Sequence, residues 1–157
     1  MKKSLLVVLF AMMMVVVTAC GGSKQVSFSI STAVDTIKTE GAFTDTLTKC
    51  DSDKALSLYG LDGSILAEFE VHISTGATAE EIAIFRVKDT ADMATVVAAC
   101  EKRCADQVAA CKDYLPDEID KLNQPIMIEA GNYVIFVVCD DHMKTAQVVN
   151  TKVLQMK

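Results

Sequence analysis

The chain contains 157 residues, of which 51% are hydrophobic, and its 21 acidic side chains outnumber its 15 basic ones for a formal net charge of −6. This length is typical of a single domain that buries its own core. The negative charge excludes nucleic acid as an expected partner, because a phosphate backbone repels an acidic protein.

The N-terminal residues have the three-part pattern of a secretory signal. Lys2 and Lys3 precede an uninterrupted apolar run, residues 5–17, and small residues then lead to Cys20. The apolar run is 13 residues long, whereas a helix that spans a bilayer needs about 20. The pattern therefore favours a cleaved signal over a retained transmembrane anchor.

The four residues Val17-Thr18-Ala19-Cys20 resemble the lipobox of bacterial lipoproteins, although that pattern most often has Leu where this chain has Val17. The resemblance implies cleavage before Cys20 and acylation of its thiol, which together hold the protein on the membrane. The alternative is an ordinary cleaved signal with a coincidental cysteine. Cleavage leaves 13 basic and 21 acidic side chains, a formal charge of −8.

We accordingly expect three segments: a lipoprotein signal peptide at residues 1–19, the lipidated Cys20 with a tether at residues 20–31, and a single α+β domain at residues 32–157. The expected location is the outer face of the bacterial cytoplasmic membrane, where the lipid anchor makes the membrane itself a partner.

Hydrophobic periodicity and turn residues predict eight elements in the order ααββαββα. Helices are expected at residues 32–40, 53–59, 90–114 and from 142 onward, and strands at residues 65–73, 82–87, 126–129 and 133–139. The strand at residues 82–87 is almost continuously apolar, which is typical of a strand with both faces covered. This order predicts a two-layer α+β domain with a four-stranded, largely antiparallel sheet and packed helices.

Five cysteines follow Cys20, namely Cys50, Cys100, Cys104, Cys111 and Cys139. Their odd number does not allow complete pairing, and a domain of this size does not require disulfides. Three of them, Cys100, Cys104 and Cys111, share one face of the third helix at 100° per residue. We expect core residues there, because the spacing suits burial better than tetrahedral metal ligation.

Three short segments carry a second resemblance: Glu80-Glu81-Ile82-Ala83, Tyr114-Leu115-Pro116 and Gly131-Asn132-Tyr133-Val134. Together with the lipobox they resemble a family of small lipoproteins from Gram-positive bacteria, the domain of unknown function 4358 family. The resemblance covers most of the chain after Cys20. It implies no activity, and it implies only Cys20, which bears the lipid, as a functional residue.

The chain has two histidines, His72 and His142, that could act as a base beside a nucleophile. Neither lies in a recognisable nucleophile motif, and phosphate-binding and dinucleotide-binding motifs are absent from the sequence. We therefore expect neither an enzyme nor a bound cofactor.

The strand at residues 65–73 presents Glu68, Glu70 and His72 on the same face, because alternate side chains of a strand point the same way. Two carboxylates and an imidazole are suitable ligands for a divalent cation. The same spacing also arises on any strand face that contacts water.

The leading expectation is a noncatalytic binding or interaction module with an envelope protein as its partner, and the alternative is a lipoprotein that binds a small ligand or a divalent cation.

Overall fold

The computed structural model describes residues 26–156. The predicted signal peptide and Cys20 lie outside the described residues, as do residues 21–25 of the predicted tether. In the part of the chain that the structure describes, no helix is both long enough and apolar enough to cross a membrane.

Residues 26–156 form one antiparallel sheet of five strands in the order β1-β2-β3-β5-β4. The strands are β1 (Thr48–Lys49), β2 (Leu66–Ile73), β3 (Glu81–Val87), β4 (Ile126–Ala130) and β5 (Tyr133–Val138). The central pair β3 and β5 has the most continuous apolar sequences, and every residue of these two strands except Arg86 is buried. Their burial on both faces agrees with the prediction from the apolar run at residues 82–87.

Five α-helices accompany the sheet in this part of the chain. They are α1 (Ile30–Glu40), α2 (Ser52–Tyr59), α3 (Met93–Cys111), α4 (Ile119–Leu122) and α5 (His142–Thr151). Aspartates cap two of the helices: the Asp51 carboxylate accepts from the Lys54 N–H at 2.8 Å, and the Asp141 carboxylate accepts from the Lys144 N–H at 2.9 Å. Helix α2 ends at Gly60, whose φ of +62° favours glycine.

The sheet has a hydrophobic core on each face, so the domain has three layers. On one face α2, α3 and α4 cover residues that include Val71, Phe85 and Phe136. On the other face α1 and α5 cover residues that include Ile84, Ile135 and Val137. The expectation of an α+β domain with a largely antiparallel sheet is confirmed. The expectation of four strands in two layers is wrong, because β1 adds an edge strand and the second sheet face is covered by helices.

The chain enters the domain beside the turn between β4 and β5. The ring of Phe28 stacks on that of Tyr133 with centroids 4.2 Å apart, and the Tyr133 hydroxyl donates to the Phe28 carbonyl at 3.2 Å. Phe28 and Ile30 are buried in the core that α1 and α5 cover. The folded part of the chain therefore includes residues that the sequence pattern placed in the tether.

The predicted stripe of cysteines on α3 packs into the core. Cys100 and Cys111 are buried, Cys104 is half-buried, and all five cysteines of the described residues are free thiols. Helix α3 ends at Cys111 rather than at the predicted Tyr114, which is 85% exposed. Pro116 follows closely, and proline disfavours helical geometry in the residue before it.

Candidate functional site

Two consecutive glutamates, Glu80 and Glu81, lie at the beginning of the central strand β3. They are among the most buried side chains of the domain, with 1% and 0% of their surfaces exposed. Adjacent residues of an extended chain point in opposite directions, so the two carboxylates enter different environments. A buried carboxylate is tolerated only when hydrogen bonds and opposite charges compensate its lost hydration.

The carboxylate of Glu80 connects helix α4 with the loop that follows α1. It accepts the backbone N–H of Thr44 at 2.9 Å, the backbone N–H of Asp45 at 2.9 Å and the Thr44 hydroxyl at 2.9 Å. The ammonium group of Lys121 donates to it at 3.0 Å. Four donors from the same chain therefore replace water around this carboxylate.

Lys121 lies among several carboxylates and keeps only 13% of its side chain exposed. Its Nζ atom is 3.0 Å from Glu80, 3.2 Å from Glu118 and 3.7 Å from Asp140. Burial alone would lower the pKa of Lys121, but the hydrogen bonds to Glu80 and Glu118 outweigh burial and raise the pKa above its usual value. Lys121 is thus held as a cation that ties α4 to the beginning of β3.

The carboxylate of Glu81 lies on the other face, between α2 and α3. The Tyr59 hydroxyl donates to Oε1 at 2.5 Å, and the Arg103 guanidinium donates to Oε1 at 3.3 Å and to Oε2 at 2.7 Å. The Gln107 amide also donates to Oε2 at 2.8 Å. Burial and the charge of Glu81 raise the pKa of Tyr59 well above its usual value, so the phenol stays protonated and donates.

A polar cleft of about 190 Å³ opens beside Lys121, between α4 and the beginning of α5. Its lining residues are Asp117, Asp120, Lys121, Gln124, Cys139, Asp140 and His142. Because Lys121 is already bound to Glu80 and Glu118, the rim presents mainly carboxylates to the solvent. The cleft brings His142 near Asp140, whereas the side chain of Asp141 caps α5.

Of the three residues predicted to bind a cation, the structure brings Glu70 and His72 together. The Oε1 atom of Glu70 is 2.7 Å from Nε2 of His72, and its Oε2 atom is 2.7 Å from Nζ of Lys49. Nδ1 of His72 is 3.5 Å from Nζ of Lys38. Burial alone would raise the pKa of Glu70, but the hydrogen bonds from Lys49 and His72 outweigh it and lower the pKa. Two lysines of the chain therefore contact this pair.

The third predicted ligand, Glu68, is separate from the other two. Its carboxylate pairs with Arg86 at 3.2 Å, and 46% of its side chain is exposed, whereas Glu70 keeps 10% exposed. In residues 26–156, no group of three or more His, Cys, Asp and Glu side chains has an arrangement that could hold a metal ion. His72 is only 6% exposed, because α1 covers the strand face that the alternation pattern assigned to water.

The sequence pattern did not identify Glu80, Glu81, Arg103 or Lys121 as site residues. One sequence feature could have identified the glutamates: two adjacent carboxylates lie directly before the apolar run of β3, where an unpaired charge would destabilise the fold. Another was the presence of Arg103 and Gln107 four residues apart on α3, which places them on one side of the helix.

Residues 39–139 match one family model, which is described as "Domain of unknown function (DUF4358)". The matched region begins near the end of α1 and reaches Cys139 after β5, so it includes the complete sheet and both buried glutamates. No curated protein and no solved structure matches the chain.

Proposed function

The chain belongs to the family defined by the domain of unknown function DUF4358, and on that premise we propose that it is a lipid-anchored lipoprotein that acts as a noncatalytic interaction module. The anchor in this proposal is the acylated Cys20, and the location is the outer face of the cytoplasmic membrane. The partner is another protein of the cell envelope.

The observation that carries the proposal is that both buried carboxylates are fully paired with cations and hydrogen-bond donors of the same chain. General acid–base catalysis needs a titratable group that can reach a substrate. Glu80 and Glu81 have the burial of catalytic carboxylates, but Lys121 and Arg103 neutralise them and donors of the same chain surround them. This arrangement supports a structural role for the two carboxylates rather than a catalytic one.

Acylation of Cys20 is the first expectation that the proposal makes. The native chain should take up a labelled fatty acid in its host and sediment with membranes, because two or three acyl chains hold a protein stably in a bilayer. Cys20→Ala should lose the label and leave the membrane fraction. A matched Cys104→Ala variant should keep both properties, and equal labelling of the Cys20→Ala chain would contradict the anchor.

The interaction itself is tested by placing a photo-crosslinking amino acid at Gln124, a lining residue of the cleft. We expect a defined adduct in intact cells that disappears when Asp117 and Asp120 are both replaced by asparagine, since these carboxylates form the rim. The same crosslinker at Glu129 on the edge strand β4 serves as the control. Equal adducts from both positions, or none from Gln124, would contradict an interaction through the cleft.

The second candidate function is binding of a small ligand or divalent cation at Glu70 and His72, whose side chains the fold brings within 2.7 Å of each other. A bound cation would raise the melting temperature of the protein by mass action. Glu70→Ala with His72→Ala should abolish that rise, and Lys49→Met should enlarge it because Lys49 competes for the carboxylate. Melting temperatures that do not respond to Zn²⁺, Ca²⁺, Mg²⁺ or Mn²⁺ would eliminate divalent-cation binding.

A further inference from the structure

The first described residues are fixed at one end of the sheet. A Cβ atom added to Gly131, in the turn between β4 and β5, would lie 3.6 Å from Cβ of Val26. Two residues later, Phe28 is held by stacking on Tyr133 and by hydrogen bonds with the Tyr133 hydroxyl at 3.4 Å and 3.2 Å. The point at which the chain enters the domain is therefore set by packing and hydrogen bonds.

The polar cleft beside Lys121 lies at the opposite end of the same strands. Strand β5 begins at Tyr133, beside the chain entry, and ends at Val138, which pairs with Glu81. The next two residues, Cys139 and Asp140, line the cleft. At about 3.3 Å per residue, β5 separates the two ends by roughly 20 Å.

We propose that the lipid anchor orients the domain with the β4–β5 turn toward the bilayer and the cleft pointing away from it. The inference rests on the proposed acylation of Cys20. Five residues, 21–25, lie between that cysteine and Val26, and a chain of this length reaches at most about 20 Å. The bilayer surface is thus within reach of the turn, whereas the cleft lies a full strand length further out.

The charge distribution favours the same orientation. The cleft rim carries Asp117, Asp120 and Asp140, which the anionic leaflet of a bacterial membrane repels. This repulsion acts within about 8 Å of the lipid surface at physiological salt. The tether therefore keeps the turn near the bilayer, and charge directs the cleft toward the aqueous side, where an envelope partner can reach it.

Two exposed positions at the ends of β4 allow the orientation to be measured. Glu129 is next to the last residue of β4 beside the turn, and Asn123 precedes the strand at the cleft end. The acylated full chain carrying Glu129→Cys or Asn123→Cys is labelled with a donor fluorophore. It is then bound to vesicles of phosphatidylglycerol and phosphatidylethanolamine that contain an acceptor lipid. We expect efficient energy transfer from position 129, and only a minor fraction of that efficiency from position 123.

Labelling of the native thiols is the background signal in this experiment. Burial raises the pKa of Cys50, Cys100, Cys104, Cys111 and Cys139, so these residues react slowly with maleimide in the folded protein. The acylated chain without an added cysteine measures the remaining label. Gln124→Cys is a second reporter at the cleft end if Asn123→Cys fails to fold.

The outcomes separate this inference from the proposed function. A chain whose vesicle binding does not depend on Cys20 overturns the lipid anchor. A chain that binds through Cys20 but shows equal transfer from both positions, or greater transfer from position 123, overturns the orientation and leaves the anchor intact. Transfer that remains greater from position 129 at high salt supports orientation by the tether.

Discussion

Arg103→Met is expected to lower the free energy of unfolding by about 3–5 kcal/mol, because it leaves the charge of Glu81 buried without a cation. Glu81 has no exposed surface, and Arg103 keeps 17% of its side chain exposed, so water replaces the guanidinium poorly. Burial alone would lower the pKa of Arg103, but the hydrogen bonds and charge of Glu81 outweigh burial and raise the pKa. The guanidinium is therefore a permanent partner of the carboxylate.

Urea unfolding followed by circular dichroism measures this loss. Arg86→Met is the matched control, because Arg86 and Glu68 also form an arginine–glutamate ion pair but keep 36% and 46% of their side chains exposed. Its expected effect is below about 1 kcal/mol, as for other solvent-exposed pairs. Similar losses for the two variants would show that Glu81 does not depend on Arg103 for compensation of its charge.

Local sequence patterns were sufficient to predict most helices and strands. The positions of α2, β3 and the β4–β5 hairpin follow from hydrophobic periodicity, apolar runs and turn glycines, which are local signals. Gly131 has a φ of +61°, a value that favours glycine in a two-residue hairpin turn. The two residues of β1 are too few to give a periodic signal, so this strand was missed.

The number of layers was not predictable from alternation along one strand. In β2 the pattern of apolar and polar residues indicated a face in contact with water, yet α1 packs over that face and buries His72. A strand pattern reports the polarity of a face, whereas its burial depends on which helix the chain folds back over it. Lys38 and Lys49 compensate the polar side chains beneath α1.

The partners of the buried glutamates lie far along the chain, which explains why residue spacing did not reveal the site. Arg103 follows Glu81 by 22 residues, and Lys121 follows Glu80 by 41. Each pair meets only after α3 and α4 have packed against the sheet. Sequence alone indicated that Glu80 and Glu81 are adjacent to a buried strand, but it contained no local signal for the cation that each requires.

The second large effect is expected at Glu80, where Glu80→Gln should lower the free energy of unfolding by about 2–3 kcal/mol. A glutamine keeps the shape, but its amide nitrogen replaces an oxygen that accepts from Thr44 and from either Asp45 or Lys121, so donor faces donor there. The loss should be smaller than for Arg103→Met, because the Lys121 ammonium left behind still contacts Glu118.

A double-mutant cycle with Lys121→Met distinguishes this charge pairing from a general loss of packing. Each single change leaves one buried charge with fewer partners, whereas the double variant removes both charges. The double variant should therefore be more stable than the sum of the two losses predicts, by a coupling free energy of about 1–3 kcal/mol. The exposed pair Lys102 and Asp106, 2.6 Å apart, provides the reference cycle, with an expected coupling below about 0.5 kcal/mol. Equal coupling in both cycles would mean that Thr44 and Asp45 alone stabilise the Glu80 carboxylate.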